Sequence, residues 1–136
     1  MTILYVDDDP DDRQIFLEAI KSVDDSFVCD TAKDGLDALA YLDSNKLPDV
    51  VFLDINMPLM DGKTCLSEIR GNKNTSHIPV VIFTTSNNPQ EKDECRELGA
   101  SDFVLKPVSY LEMKRILISI FKSKNLHESS SKLSIV

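Results

Sequence analysis

Acidic side chains stand directly after two apolar segments of this 136-residue chain. Asp7 and Asp8 follow "ILYV", and Asp54 follows "VVFL". Carboxylates that are crowded together repel one another by about 4 kcal/mol per pair at 4 Å near a protein surface, so such a cluster needs a counter-charge. Carboxylate oxygens are the ligands that hard divalent cations such as Mg²⁺ prefer. If one edge of a sheet brings them together, Asp7, Asp8 and Asp54 are predicted to bind a metal ion.

A hydroxyl and an amine occupy corresponding positions after two later apolar segments. The segment "VVIFT" ends in Thr84, and "DFVLKP" carries Lys106 at its end. The carboxyl ends of parallel strands meet at one edge of an open α/β sheet, which is where such sheets bind ligands. Three carboxylates, a hydroxyl and an ammonium are therefore expected around one polar pocket.

Three further aspartates in the first acidic run have a structural explanation. Asp9 precedes Pro10, and this pair is typical of an N-cap followed by the first residue of a helix. Asp11 and Asp12 would then lie in the first helical turn, where the helix dipole favours negative charge. Asp7 and Asp8 are left without such a role.

The elements that must position these residues follow from the hydrophobic pattern. The third and fourth apolar segments are continuously apolar, as is typical of strands covered on both faces of a parallel sheet. Segments with helical periodicity alternate with the apolar ones, and this alternation predicts a doubly wound α/β domain with helices on both faces of one sheet. The predicted strands are 3–6, 27–32, 49–54, 80–85 and 102–107, and the predicted helices are 10–23, 35–42, 62–70, 89–98 and 109–123.

The hydrophobic pattern also predicts which helical side chains enter the core. In the first helix these are Ile15, Phe16, Ala19, Ile20 and Val23. In the second helix they are Leu36, Leu39, Ala40 and Leu42. The helix at 89–98 offers Cys95 and Leu98 as its anchors, which suggests a weakly held helix that shifts on activation.

Composition excludes several classes of protein. The net charge of −8 argues against nucleic-acid binding, which needs clustered Lys and Arg. We expect no membrane segment and no signal peptide, because no apolar run approaches the roughly 20 residues that cross a bilayer. The three cysteines are odd in number and match no zinc-ligand spacing, as expected of reduced thiols in a cytoplasmic protein.

One domain is expected over residues 1–124, and a polar, disordered tail over 125–136. The apolar residues Leu133, Ile135 and Val136 leave a docking peptide open as an alternative. The residues after Lys122 are too few for a further DNA-binding or catalytic domain. The domain is therefore expected to act through contacts with another protein.

Four motifs together resemble the response-regulator receiver domain, of which the chemotaxis type is the best-known member. They are "VDD" (6–8), "LDINMPLMDG" (53–62), "FTTS" (83–86) and "LKP" (105–107). The resemblance runs from about Thr2 to Lys122 and implies a flavodoxin-like strand order, 2-1-3-4-5. It also implies that Asp54 accepts a phosphoryl group from the phosphohistidine of a sensor histidine kinase or a histidine phosphotransfer protein.

The resemblance further implies roles for the residues around Asp54. Asp8, Asp54 and the backbone carbonyl of Asn56 would bind Mg²⁺, and Asp7 would help through a water molecule. Lys106 would neutralise phosphoryl oxygens, and Thr84 would donate a hydrogen bond to one of them. The acquired charge would then bias a two-state surface that a downstream protein reads.

Other motif residues have structural, switching or tuning roles in this interpretation. Pro58 holds Met57 extended, and Gly62 follows Asp61 at a turn that starts a helix. The resemblance favours a cis bond between Lys106 and Pro107, which would aim the lysine inward. Phe103 occupies the position where the family often has a switching tyrosine. Asn56, Thr85 and Ser86 would tune how long the phosphoryl group survives, and Thr85 is larger than the usual residue.

Two alternatives from other classes remain open at this point. A haloacid-dehalogenase-type phosphatase would use Asp7 as nucleophile and Asp9 as general acid, but this leaves Asp54 without a role. A phosphorylation-independent scaffold would be expected to lack some of the pocket residues. The last helix is likewise open to two interpretations: a wide buried face, or a surface for a partner or for a homodimer through the last strand and helices.

Overall fold

The computed structural model describes residues 1–44 and 47–124, with side chains through Lys122. The predicted tail over 125–136 lies outside the described residues. Strands and helices alternate along the chain as predicted. The elements are β1 (Thr2–Val6), α1 (Pro10–Val23), β2 (Val28–Ala32), α2 (Gly35–Asp43), β3 (Val50–Leu53), α3 (Gly62–Gly71), β4 (Val80–Thr84), α4 (Pro89–Glu97), β5 (Asp102–Leu105) and α5 (Tyr110–Lys124).

The five strands form one parallel sheet in the order β2-β1-β3-β4-β5, which confirms the predicted topology. The register places Val6 opposite Leu53, and Leu53 opposite Ile82. Thr84 of β4 lies opposite Leu105 of β5. β4 and β5 therefore extend two residues beyond the level at which β1 and β3 end, and the residues that follow all four strands lie at the same edge of the sheet.

Alternate residues of each strand enter two separate hydrophobic cores. Ile3 and Tyr5 of β1 pack beneath α1 and α5, whereas Leu4 and Val6 pack beneath α2, α3 and α4. All residues of β3 and β4 are buried, as their continuously apolar sequences predict. This burial on both faces fixes the central strands that carry Asp54 and Thr84 at their ends.

The predicted core faces of α1 and α2 need correction. Ile15 of α1 is 40% exposed, although Phe16, Ala19 and Ile20 are buried as predicted. In α2, Leu42 is buried as predicted, but Leu36 and Ala40 are exposed, and Gly35 and Ala38 are buried in their place. The helix begins at residue 35 as predicted, but positions 35, 38 and 42 are three and four residues apart and share the face toward the sheet, whereas positions 36 and 40 lie outside it.

Side-chain caps fix where the helices near the sheet edge begin. Asp9 accepts hydrogen bonds from the backbone N–H groups of Asp11 and Asp12 at the start of α1, as its position before Pro10 predicts. Asp61 and Asn88 cap α3 and α4 in the same way. Within residues 1–44 and 47–124, no helix has the length and apolar content that a bilayer crossing requires.

Candidate phosphoacceptor and metal site

The strand ladders continue one residue past β1 and β3 and thereby place two carboxylates. The Asp7 N–H donates to the carbonyl of Ala32 at 3.1 Å, and the Asp54 N–H donates to the carbonyl of Val6 at 3.1 Å. Asp7 and Asp54 are buried, and Asp8 is exposed. One carboxylate oxygen from each of Asp7, Asp8 and Asp54 lies within 4.8 Å of the others. The structure thus brings together the three aspartates that the sequence analysis selected.

Lys106 reaches this acidic cluster from the end of β5. Its backbone N–H donates to the carbonyl of Thr84 at 2.8 Å, which ties the lysine to β4. Its side chain is 9% exposed, and Nζ lies 2.6 Å from Asp7 Oδ2, 3.0 Å from Asp12 Oδ2 and 3.1 Å from Asp54 Oδ2. One ammonium group therefore offsets part of the repulsion among the carboxylates.

The electrostatics of the pocket follow from burial and these contacts. Burial raises the pKa of Asp54, and so does the charge of Asp7, while Lys106 and a hydrogen bond from Thr84 act in the opposite direction. Burial lowers the pKa of Lys106, but the hydrogen bonds and charges of Asp7, Asp54 and Asp12 outweigh it and leave this pKa raised. The lysine is consequently held as a cation against the carboxylates.

The predicted switch and tuning residues differ in their exposure. Thr84 is fully buried, and its Oγ1 accepts a hydrogen bond from the Ser86 N–H at 3.3 Å. Thr85 and Asn56 are exposed. Phe103 is partly buried on β5, where it packs against the core under α2, α3 and α4.

The loop from β3 to α3 closes tightly beneath Asp54. The Gly62 N–H donates to the carbonyl of Ile55 at 2.8 Å, and a Cβ at Gly62 would lie 2.1 Å from the Asp54 carbonyl oxygen. No other residue fits there without displacing the Asp54 backbone. The exposed Pro58 accepts a hydrogen bond from the Met60 N–H at 2.7 Å across Leu59, which has a φ of 68°. Gly62 begins α3 directly after the capping residue Asp61, as the motif predicts, whereas the role of Pro58 in holding Met57 extended stays a prediction.

The predicted cis bond before Pro107 is not observed. The Lys106–Pro107 peptide bond is trans. Lys106 nevertheless points into the pocket, because its backbone bond to Thr84 and its contacts with three carboxylates hold it there. A cis bond is therefore not needed to bring the amine to Asp54.

Sequence reasoning missed three residues that contact the pocket. The Tyr5 hydroxyl donates to Asp7 Oδ2 at 2.8 Å, Asp12 lies 3.0 Å from Lys106 Nζ, and Arg13 donates from Nη1 to the Asp7 carbonyl at 2.8 Å. A signal existed for Tyr5, because residues two apart in a strand share a face and Tyr5 precedes Asp7 by two. Asp12 was assigned to the helix dipole alone, and its contact depends on how α1 packs beside β5.

Comparison with known proteins identifies the family. A family model for the response regulator receiver domain matches residues 3–118. The chain belongs to this family. Among curated relatives, a probable cyclic di-GMP phosphodiesterase of Vibrio cholerae is 39% identical over 108 residues. The match covers 79% of this chain but 24% of that protein, so the chain spans about a quarter of the length of this relative.

Solved receiver structures share the fold at lower identity. The phosphorylated cyanobacterial phytochrome response regulator RcpA is 28% identical with a TM-score of 0.82, covering 89% of this chain and 91% of that one. The receiver domain of sensor histidine kinase PA1611 from Pseudomonas aeruginosa PAO1 is 25% identical with a TM-score of 0.72, covering 85% and 93%. A magnesium ion is coordinated in the active-site cleft of that receiver domain.

The donor set of this receiver domain fits Mg²⁺. Receiver domains bind this ion at their acidic pocket, and here three carboxylates converge without enough positive charge to balance them. Oxygen ligands of this kind are those that Mg²⁺ prefers. The phosphatase alternative lacks support, because Asp9 caps α1 instead of facing the cluster, while Asp54 lies 3.1 Å from Lys106.

Proposed function

We propose that this receiver domain takes a phosphoryl group from a phosphohistidine onto Asp54. The observation that carries the proposal is the convergence of Asp7, Asp8 and Asp54 around one amine, Lys106 Nζ. In the transfer the phosphorus–nitrogen bond breaks as a bond forms between phosphorus and an Asp54 carboxylate oxygen. Receiver domains serve as phosphoacceptors in two-component signalling, and the placement of Asp54 agrees with this activity.

Each neighbour of Asp54 has a separate task. Lys106 is held as a cation, and its amine is near enough to neutralise an oxygen of the arriving phosphoryl group. Thr84 lies at the end of β4 next to Asp54 and can donate its hydroxyl proton to a second oxygen. Both groups are fixed by strand backbone before transfer, so little reorganisation is required.

Asp7, Asp8, Asp54 and the backbone carbonyl of Asn56 are the groups that would hold Mg²⁺ in this receiver domain. When bound, the ion supplies positive charge that neutralises the phosphoryl oxygens. Asp7 is also engaged by Lys106, which supports the expectation that it acts through a water molecule instead of as a direct ligand.

The response to phosphorylation is proposed to pass through the β4–α4 loop. Thr84 contacts Asp54, and the adjoining Ser86 donates its hydroxyl proton to Glu91 of α4. Phe103 borders a groove of about 130 Å³ between α4 and β5 that is also lined by Lys92 and Arg96. A change at Thr84 would therefore affect both α4 and Phe103, the residue in the switch position. Asn56, Thr85 and Ser86 would set the lifetime of the phosphoryl group.

The partners follow from the surface around the pocket. Leu59 is 83% exposed and Val108 is 99% exposed, on the loops that follow Asp54 and Lys106. We propose that a sensor histidine kinase or histidine phosphotransfer protein binds at these two loops. A downstream protein would bind the surface formed by α4 and β5. Three free cysteines support a cytoplasmic setting. A homodimer through β5 and the neighbouring helices stays a prediction that sedimentation with and without a phosphate mimic would test.

Intact mass spectrometry after treatment with acetyl phosphate and Mg²⁺ tests the proposed function. The wild-type protein should gain one phosphoryl group, and Asp54→Asn should gain none. Asp93→Asn provides a matched control, because Asp93 is a 66% exposed aspartate on α4. It should be labelled like the wild type.

Other outcomes of the mass experiment have clear meanings. Labelling that survives in Asp54→Asn but disappears in Asp7→Asn would favour the phosphatase chemistry and contradict the proposal. An unlabelled wild-type protein that also receives nothing from a phosphorylated kinase would favour the scaffold. Omission of Mg²⁺ should abolish labelling of the wild type.

A further inference from the structure

Tyr5 occupies an unusual place directly beneath the acidic pocket. Because side chains alternate along β1, Tyr5 and Asp7 lie on the same face of the sheet, beneath α1 and α5. The Tyr5 side chain is buried, and its ring stacks on Phe16 with centroids 4.0 Å apart and an interplanar angle of 12°. Its hydroxyl extends beyond the stack and donates to Asp7 Oδ2 at 2.8 Å.

Packing accounts for the ring of Tyr5 but not for its hydroxyl. The neighbouring aromatic side chains in the same core are Phe16, Phe52 and Phe83, which carry no polar atom. A phenylalanine at position 5 would keep the stacking and the buried apolar area. A buried hydroxyl, in contrast, is costly unless it is hydrogen-bonded, and this one is bonded to a predicted metal-binding carboxylate.

The contacts of Asp7 show what the hydroxyl accomplishes. Asp7 Oδ1 accepts the Asp9 N–H at 3.0 Å, while Oδ2 accepts the Tyr5 hydroxyl and the Lys106 amine at 2.6 Å. These three donors approach from a helix cap, a strand and the far edge of the sheet, so together they fix the rotation of the carboxylate. In the proposed function Lys106 also neutralises an oxygen of the phosphoryl group. The Tyr5 hydroxyl then remains hydrogen-bonded to Asp7 Oδ2.

We infer that Tyr5 is a positioning residue of the metal site, whose hydroxyl holds the Asp7 carboxylate in the orientation that Mg²⁺ binding requires. The inference rests on the proposed function, because it takes Asp7 as part of the magnesium site. Outer-shell hydrogen bonds to metal-binding groups generally orient them, and their loss weakens metal binding. Tyr5 would act in this way without contacting the ion.

Isothermal titration calorimetry of the full chain with MgCl₂ tests the role of Tyr5. Tyr5→Phe keeps the ring and removes the hydroxyl, and it should raise the dissociation constant for Mg²⁺ about three- to ten-fold. Tyr41→Phe is the matched control, because the Tyr41 hydroxyl donates to Asp30 Oδ2 at 2.6 Å, away from the pocket. Tyr41→Phe should bind Mg²⁺ with the wild-type constant.

Thermal unfolding without Mg²⁺, measured in parallel, separates positioning from structural support. Each variant loses one tyrosine–aspartate hydrogen bond, so both should lose some thermal stability, but only Tyr5→Phe should lose Mg²⁺ affinity. Equal Mg²⁺ affinity in Tyr5→Phe and wild type would overturn the inference, as would equal weakening in both variants.

The failure of this inference can be distinguished from failure of the proposed function. A wild-type protein that binds Mg²⁺ and is labelled on Asp54, with Tyr5→Phe binding the ion equally well, would remove only the role of Tyr5. A wild-type protein that binds no Mg²⁺ would overturn the role of Tyr5 together with the proposed metal site.

Discussion

The helices α1 and α4 both follow strand ends that carry pocket residues, yet they are held in different ways. α1 buries Phe16, Ala19 and Ile20, and Phe16 stacks on Tyr5 and contacts two further aromatic rings. Among its described residues α4 buries one side chain, Cys95. Leu98, the residue that caps the end of α4, is partly buried against the same core. Polar contacts add to these two anchors, because Lys63 of α3 pairs with Glu91 at 3.6 Å and with Glu94.

This difference separates the part of the molecule that performs chemistry from the part that can respond. Burial of aromatic rings is strongly stabilising and holds α1 firmly behind the pocket. Ion pairs near the surface contribute much less to stability. We therefore predict that α4 shifts at a smaller cost in free energy than α1 when Asp54 accepts the phosphoryl group as proposed.

The largest expected effect comes from removing the aromatic anchor of α1. Phe16→Ala should lower the free energy of unfolding by about 3–5 kcal/mol, because it leaves a cavity among buried rings. Cys95→Ala should lower it by about 1 kcal/mol, since a single sulfur atom is lost. Urea unfolding measures both values. Similar losses for the two variants would show that α4 is anchored as firmly as α1.

Native-state amide hydrogen exchange compares the two helices directly. Amides of α4 should exchange at least about ten-fold faster than those in the middle of α1, because local opening of α4 exposes little apolar surface. β3 provides an internal reference for the most protected amides, since all of its residues are buried. Equal protection in α1 and α4 would count against the weak attachment of α4.

A third, smaller effect concerns the charge of Asp54, which follows β3 between the two strands that precede α1 and α4. Because burial and Asp7 raise the pKa of Asp54, the folded state binds a proton more readily than the unfolded state. Stability should therefore fall as pH rises through the interval from 3.8, the ordinary pKa of an aspartate side chain, to the raised pKa. Asp54→Asn removes this loss and should increase the free energy of unfolding by about 1 kcal/mol at pH 7.

Urea unfolding of wild type and Asp54→Asn across pH tests the sign of this effect. The advantage of Asp54→Asn should shrink as pH falls from the raised pKa toward 3.8, and little of it should remain below about 4, where the carboxyl is protonated in both the folded and the unfolded state. An advantage that grows on acidification would instead mean that ionised Asp54 stabilises the fold through Lys106.

The smallest predicted effect tests the polar attachment of α4. Lys63→Met keeps the aliphatic stem but removes the charge that pairs with Glu91 and Glu94, and it should speed exchange of α4 amides about two- to five-fold. Arg96→Met makes the same change of charge within α4, where Arg96 pairs with Asp93 at 66% exposure on each side. Amide exchange in α4 should be nearly unchanged in this control. Equal acceleration in the two variants would refute a specific role for the ion pairs between Lys63 of α3 and α4.

Much of the fold could be predicted because its signals are local. Continuously apolar β3 and β4 indicate strands covered on both faces, and the Asp9–Pro10 pair marks the start of α1. The side-chain faces were harder to predict. Leu36 was predicted to face the core from its helical spacing, but α2 turns Gly35, Ala38 and Leu42 toward the sheet, and Leu36 is 51% exposed.

The sequence alone determined which residue types follow the strands. These residue types were sufficient to predict a pocket with Asp7, Asp8, Asp54, Thr84 and Lys106. Only the tertiary structure decided which partners Lys106 chooses: its amine bonds to aspartates 99, 94 and 52 positions away along the chain. It also decided that the Tyr5 hydroxyl meets Asp7 and that a trans bond before Pro107 suffices. The physical reason is that strand ends follow from backbone periodicity, whereas contacts between side chains depend on the rotamers and packing of elements far apart in sequence.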